Sequence, residues 1–104
     1  MTIQINTDKT ITGEKRSSDF FTSQINEALQ RFESHITRIE VHLKDENGDK
    51  DGFNNIYCLL EARLEGRQPI AITTQADTTD LAVSDAISKI KSALKTIIGK
   101  MKKH

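Results

Sequence analysis

The sequence predicts an α+β fold in the order β-α-β-β-β-α, with both helices packed on one face of a four-stranded mixed sheet. Four short segments alternate apolar and polar residues or are rich in β-branched residues, which is typical of strands. Two longer segments repeat apolar residues every three or four positions, which is typical of amphipathic helices. A chain of 104 residues has room for one hydrophobic core, so we expect a single domain over residues 1–104.

The first half of the chain should form a parallel strand pair joined by a helix. The first strand is expected at Thr2–Asn6. The helix should begin at Ser17 or Ser18, either of which can cap its free N–H groups, and its apolar stripe continues to Ile36. The second strand is Arg38–Lys44, and a helical connection between two strands makes them parallel.

The second half should add two antiparallel strands and a long helix. A polar loop, Asp45–Asn54, precedes the third strand, Ile56–Leu64, and a short turn leads to the fourth strand, Ile70–Ala76. Thr78 or Thr79 should cap the final helix.

The charges of this neutral chain are unevenly distributed. Residues 1–85 contain nine basic and all fifteen acidic residues, whereas residues 86–104 contain six lysines and no acidic residue. Overall neutrality argues against a general nucleic-acid coat protein but allows a local basic surface, because salt limits the range of exposed charges to about 10 Å. No apolar run approaches the roughly 20 residues that span a bilayer, and there is no signal-peptide pattern, so we expect a cytoplasmic protein.

The final helix carries the candidate binding residues. Lys91, Lys95 and Lys102 flank its apolar stripe on one side, and Lys89 and Lys100 flank it on the other. The outward ridge consists of small residues: Ser88, Ser92, Thr96 and Gly99. A phosphate backbone could approach this ridge closely while the lysines bind it from both sides. Alternatively, the lysines only complement the helix dipole and cover the edge of the core.

The outward face of the sheet is the second candidate surface. Its predicted members are Glu40, His42, Lys44, Tyr57, Leu59, Glu61 and Arg63. The ring of Tyr57 beside basic residues could stack on bases, but the acidic neighbours favour a structural or protein-binding face. Leu59 beside Tyr57 would form a small patch through which two copies could make a weak homodimer.

Catalytic and metal-binding patterns are weak. Asn47–Gly52 has the alternating oxygen ligands of a calcium loop, but its twelfth position is Cys58 instead of glutamate, which favours a polar hairpin loop. A single cysteine makes neither an internal disulfide nor a cysteine-based zinc site. His35, His42 and His104 lie far apart in sequence. We therefore expect no metal, no cofactor and no enzymatic activity.

Two short patterns stand out in the predicted helices. The first helix ends in Leu29-Gln-Arg31-Phe32, and the last helix contains Ala82-Val83, Ile87-Ser-Lys89-Ile90 and Leu94. With the element order, these residues resemble the ribosome hibernation-promoting factor and ribosome-associated translation inhibitor family (protein Y-like), in its short form. That family has the same element order, a first helix that ends in a Leu-x-basic-aromatic pattern, and a last helix with an Ala-Ile and Ile-x-Lys-Leu core.

The resemblance implies a stress-response factor that binds the small ribosomal subunit over its rRNA and blocks messenger and transfer RNA. It assigns RNA binding to Arg31 and Lys89 directly. The charge argument adds four more lysines: Lys91, Lys95, Lys100 and Lys102. Because the family is usually basic and this chain is neutral, a diverged protein-interaction module on the same fold remains the alternative. A small-molecule-binding domain would instead require a deep apolar pocket between the sheet and the helices.

Overall fold

The computed structural model describes residues 1–7, 15–45 and 56–101 of the chain. Within these ranges the elements follow the predicted order, with one additional 3₁₀-helix, so the predicted α+β fold class is confirmed. The elements are β1 (Thr2–Thr7), α1 (Lys15–Leu29), a 3₁₀-helix (Gln30–His35), β2 (Ile36–Asp45), β3 (Ile56–Leu64), β4 (Ile70–Ala76) and α2 (Thr79–Met101).

The sheet is mixed, as the sequence predicts. Its strand order is β1-β2-β3-β4, with β1 parallel to β2 and the other neighbours antiparallel. A parallel pair needs a long crossover, which α1 supplies, whereas a short turn is sufficient between β3 and β4. Within the part of the chain that the structure describes, β1 and β4 are therefore the two edges of the sheet.

Both helices contribute to one hydrophobic core on the inner face of the sheet. Alternation along β2 and β3 directs Ile39, Val41 and Leu60 inward, and none of these side chains has any exposed surface. The core continues into α1 through Phe21, Ile25 and Leu29, and into α2 through Val83, Ala86, Ile90 and Leu94. Burial of this apolar area is the main stabilising term of the fold.

The two helices run in the same direction. β1 and β4 are parallel to each other, because β2 is parallel to β1 and is separated from β4 by two antiparallel pairings. Each helix returns from the end of one of these strands, α1 against β1 and α2 against β3 and β4, and the helices also contact each other. Their C-terminal ends therefore lie at the same end of the domain.

The predicted limits of the first helix were wrong at both ends. The helix begins at Lys15, so that Ser17 and Ser18 lie inside its first turns instead of capping it. At its other end the chain tightens into the 3₁₀-helix after Leu29, as helix ends often do. Ile36 is buried as the helical stripe predicts, but it is the first residue of β2.

β2 is longer than predicted because it begins with a bulge. The register with β3 shifts between Ile36 and Arg38, so that Thr37 and Arg38 both lie away from the core while Ile36 and Ile39 are buried. The Thr37 hydroxyl donates a hydrogen bond of 3.1 Å to the carbonyl of Arg63, and this bond ties the bulge to β3.

The starts of β4 and α2 agree with the predictions. Gly66 has φ of 71° in the β3–β4 turn, a conformation that favours glycine. At the next connection, the Leu81 N–H donates a 3.1 Å hydrogen bond to the Thr78 hydroxyl, so Thr78 is the cap of α2. Within the described residues, no helix is both long and apolar enough to cross a membrane.

Candidate nucleic-acid interface

The buried stripe of α2 sets the direction of its lysines. Ala82, Val83, Ile90 and Leu94 have no exposed surface, which fixes the rotation of the helix against the sheet. With the helix held in this way, Lys89, Lys95 and Lys100 are exposed, and Lys91 is half-buried. Lys91 therefore packs part of its stem along the edge of the core, as lysines beside apolar surfaces commonly do.

The outward ridge of α2 is exposed along its whole length. Its four predicted members, Ser88, Ser92, Thr96 and Gly99, are all exposed. The Thr96 hydroxyl donates a 3.2 Å hydrogen bond to the Ser92 carbonyl one turn earlier, which keeps this side chain close to the helix. A flat, polar ridge of this kind allows a backbone of phosphates to approach the helix axis.

The described α2 lysines have no carboxylate partners. The ion pairs between described residues all lie on the opposite, outward face of the sheet. None joins Lys89, Lys91, Lys95 or Lys100 to an acidic side chain within 4 Å in the part of the chain that the structure describes. Their positive charge is thus available to an external anion. Lys102 lies outside the described residues.

Arg31 lies on a different element from the lysines. It is exposed on the 3₁₀-helix, and its guanidinium carbon is 5.1 Å from the centre of the Phe32 ring. This cation–π contact orients the side chain beside a ring that is itself buried. Because α1 and α2 run in the same direction, Arg31 lies towards the end of the domain at which α2 carries Lys95 and Lys100.

At one end of the outward face of the sheet, the arginine and glutamate side chains form ion pairs with each other. Arg38 lies 3.4 Å from Glu40, and Arg63 lies 3.2 Å from Glu40 and 3.0 Å from Glu61. Arg38 also donates a hydrogen bond to Gln4 on β1. The hydrogen bond to Glu61, followed by the charges of Glu40 and Glu61, raises the pKa of Arg63. We call Arg38, Glu40, Glu61 and Arg63 the charge ladder.

One predicted detail of the outer surface differs from the structure. Leu59 is half-buried on the outward face instead of exposed. The most exposed large apolar side chains among the described residues are Phe20 at 55% and Leu81 at 53%, near the N-terminal ends of the two helices. Phe20 packs edge-on against Phe21 at 5.7 Å. The predicted polar loop, including the calcium-like Asn47–Gly52, lies outside the described residues.

Cys58 has the surroundings of an unreactive core thiol. It is fully buried, and burial raises its pKa to about 11, partly offset by a hydrogen bond with the Thr74 side chain. Thr74 is also buried, and its hydroxyl donates a 2.8 Å hydrogen bond to the Ala82 carbonyl. This bond ties the end of β4 to the first turn of α2.

A polar recess lies beside β4 and was not predicted from the sequence. It has a cavity volume of about 340 Å³ and is lined by Tyr57, Thr73, Thr74, Gln75 and Lys89. Alternation along the strands indicates that Tyr57, Thr73 and Gln75 share the outward face, but the approach of Lys89 from α2 depends on tertiary packing. A second recess of about 310 Å³ lies at the β3–β4 turn beside Ile97.

The family of the chain follows from its sequence. The family described as sigma 54 modulation protein / S30EA ribosomal protein matches residues 10–102, which is nearly the whole chain. The chain belongs to this family, whose members are ribosome-associated factors, and the predicted resemblance to hibernation-promoting factors is confirmed. A search of curated proteins returned no match.

Solved structures share the fold at low sequence identity. The N-terminal domain of Protein Y from Thermus thermophilus is 11% identical, with a TM-score of 0.74, and the alignment covers 93% of this chain and 99% of that one. A ribosomal subunit interface protein from Coxiella burnetii is 14% identical, with a TM-score of 0.75 and coverage of 95% and 99%. At such identities the likeness establishes the fold.

Proposed function

We propose that the protein is a non-enzymatic ribosome-associated factor that binds rRNA of the small subunit through α2 and so inhibits translation on idle ribosomes. The observation that carries the proposal is the set of α2 lysines on both sides of a ridge of small residues, none of which pairs with a carboxylate among the described residues. Family membership supports the ribosomal partner, and the Coxiella burnetii protein of the same fold is described as a ribosomal subunit interface protein.

The RNA-contacting residues in this proposal are Arg31 and five lysines: Lys89, Lys91, Lys95, Lys100 and Lys102. Each lysine can neutralise one phosphate and release its condensed counterions, which favours binding in a salt-dependent manner. Such contacts recognise the backbone and not the sequence, so shape and position on the subunit would supply the specificity. The protein would act by occupying space in the small subunit in the cytoplasm, and no bond needs to be made or broken.

A protein-interaction module is the second candidate. It is favoured by the charge ladder, which leaves one end of the outward sheet face neutral, and by the overall neutrality of the chain. In this alternative the outward face of the sheet binds a protein. That protein could be a second copy of the chain, which would form a weak homodimer through the patch around Tyr57 and Leu59. The lysines of α2 would then only complement the helix dipole.

Comigration with ribosomal subunits on a sucrose gradient separates the two functions. The test variant combines Lys95→Glu with Lys100→Glu, since both side chains are exposed and neither supports the core. The control is Arg63→Gln, which removes a positive charge from the opposite face. We expect the wild type and the control to comigrate with small subunits at low salt, and the double variant to remain at the top.

Two results would contradict the proposal. One is comigration of the double variant at the wild-type level, which would show that α2 does not contact the rRNA. The other is wild-type protein that stays free of subunits but co-purifies with a protein from RNase-treated lysate, with Arg63→Gln reducing that capture. This second result would establish the protein-interaction module instead.

A further inference from the structure

The recess beside β4 connects the basic helix to the outward face of the sheet. Lys89 approaches it from α2, while Tyr57 on β3 and Thr73 and Gln75 on β4 approach it from the sheet. Gln75 is the direct cross-strand partner of Tyr57, so these two side chains are neighbours on one face. The recess therefore lies where the α2 surface passes around the edge of the sheet.

Within the described strands, the acidic residues of the outward face lie at the other end of the sheet. Glu40 and Glu61 are cross-strand partners, and Arg38 and Arg63 neutralise both of them within the charge ladder. Beyond Glu61 towards the recess, the outward residues of the described strands are uncharged or basic: Asn6, His42, Lys44, Leu59, Tyr57, Thr73 and Gln75. Leu59 thus separates Tyr57 from the acidic residues of the charge ladder. Asp45 and Asp77 lie at the strand ends near the recess, and each already has an interaction partner.

The lining of the recess combines three kinds of group. Tyr57 is half-buried and supplies an aromatic ring, Lys89 supplies an exposed ammonium group, and Thr73 and Gln75 supply hydrogen-bond donors and acceptors. The hydroxyl of Thr74 is already engaged with Ala82. Lys44, the cross-strand partner of Tyr57 on β2, adds a second cation near the ring.

These groups match a nucleotide better than other small ligands. An aromatic ring can stack on any base, an ammonium group binds a phosphate, and an amide and a hydroxyl can bond the edge of a base. The volume of about 340 Å³ lies at the lower end of the range of roughly 300–1,000 Å³ for small-molecule sites. An acidic peptide could bind Lys89 through a carboxylate, but it would give neither the Tyr57 ring nor the Gln75 amide a specific partner.

We infer that the recess beside β4 binds one unstacked nucleotide of single-stranded RNA, with its base against Tyr57 and its phosphate at Lys89. This inference rests on the proposed function, because Lys89 belongs to both surfaces. It extends that function by continuing the path of the RNA from α2 around β4 to the sheet. A free nucleotide has the same base and phosphate groups, so the experiment compares single-stranded RNA with a free nucleotide.

Titration of ¹⁵N-labelled protein, followed by NMR, tests the site without the ribosome. One arm uses an adenosine hexanucleotide and the other uses adenosine monophosphate. We expect the hexanucleotide to shift the amide signals of Tyr57, Thr73 and Gln75 and to bind more tightly than the monophosphate. Tyr57→Thr should weaken hexanucleotide binding by about 5- to 150-fold, the factor typical of one lost stacking contact, while Tyr57→Phe should stay within about 3-fold.

The results distinguish single-stranded RNA from a free nucleotide as the ligand, and they can also disprove the site. Amide shifts that avoid residues 57 and 73–75 in both arms, or equal affinities of Tyr57→Thr and Tyr57→Phe when both are folded, would overturn the inference. Monophosphate binding at least as tight as hexanucleotide binding would overturn its assignment to RNA. If the shifts appear but the wild type fails to comigrate with small subunits, the proposed function fails while the nucleotide site stands.

Discussion

The salt dependence of subunit binding should report how many cations of the helix surface contact phosphates. The described residues offer five: Arg31, Lys89, Lys91, Lys95 and Lys100. If each neutralises one phosphate, affinity should fall with salt at a log–log slope of about 4, since each phosphate contributes about 0.7–0.9. Between 50 and 200 mM salt the affinity would then fall by about 250-fold.

The best perturbation removes charge without removing packing. Lys91 is half-buried, so its replacement would also affect the edge of the core, whereas Lys95 and Lys100 are exposed. Replacing both exposed lysines with glutamine should lower the slope from about 4 to about 2.4 and reduce the fall in affinity to about 30-fold. Arg63→Gln is the matched control, because its charge lies on the opposite face beside Glu40 and Glu61.

Equilibrium pelleting with purified small subunits over a range of salt concentrations measures the slope directly. A wild-type slope below about 1 would contradict RNA binding through several α2 lysines, because a single phosphate contact is enough to produce such a slope. So would an equal decrease in slope for Arg63→Gln and for the double glutamine variant. That result would mean that total charge, and not the α2 surface, determines binding.

Three further predictions concern the scaffold. Leu94→Ala should lower the free energy of unfolding by about 3–5 kcal/mol in urea titrations, because the side chain is fully buried, while Lys95→Ala should change it by less than about 0.5 kcal/mol. Thr78→Ala should cost about 1 kcal/mol by removing the bond to the Leu81 N–H, and Thr78→Ser should restore most of it; equal loss in both would contradict the cap. Because folding raises the pKa of Cys58 to about 11, the unfolded thiol ionises first as pH rises through about 9, so stability should fall by roughly 2–3 kcal/mol from below pH 9 to above pH 11. Cys58→Ala should lack this part of the alkaline loss, and rapid alkylation of native protein at pH 8 would refute the burial.

The sequence predicts the strands and the last helix well because local patterns determine them. β3 and β4 have the predicted limits, since alternation of apolar residues fixes which side of a strand is buried. The start of α2 was predictable because Thr78 is a favourable cap followed by an apolar stripe. These features depend on neighbouring residues and need no knowledge of the tertiary fold.

The remaining features depend on tertiary contacts. The helical spacing that led to Ile36 fits a longer α1, but the chain must reverse there to start β2, and the 3₁₀-helix and the bulge accommodate this change. The candidate lysines could be predicted as a group from their spacing. The recess could not, because it requires Lys89 of α2 to approach Tyr57 and Gln75 from another layer.

The shared direction of the two helices gives the domain an electrical polarity. Their peptide dipoles add, with the positive ends at Lys15 and Thr79 and the negative ends at Leu29 and Met101. In α2 the charged side chains oppose the dipole, since Asp80 and Asp85 lie near its start and only lysines carry charge towards its end. In the field of a polyanion, these α2 charges would exert a torque that turns the C-terminal end of α2 forward before contact, which shortens the rotational search that limits association.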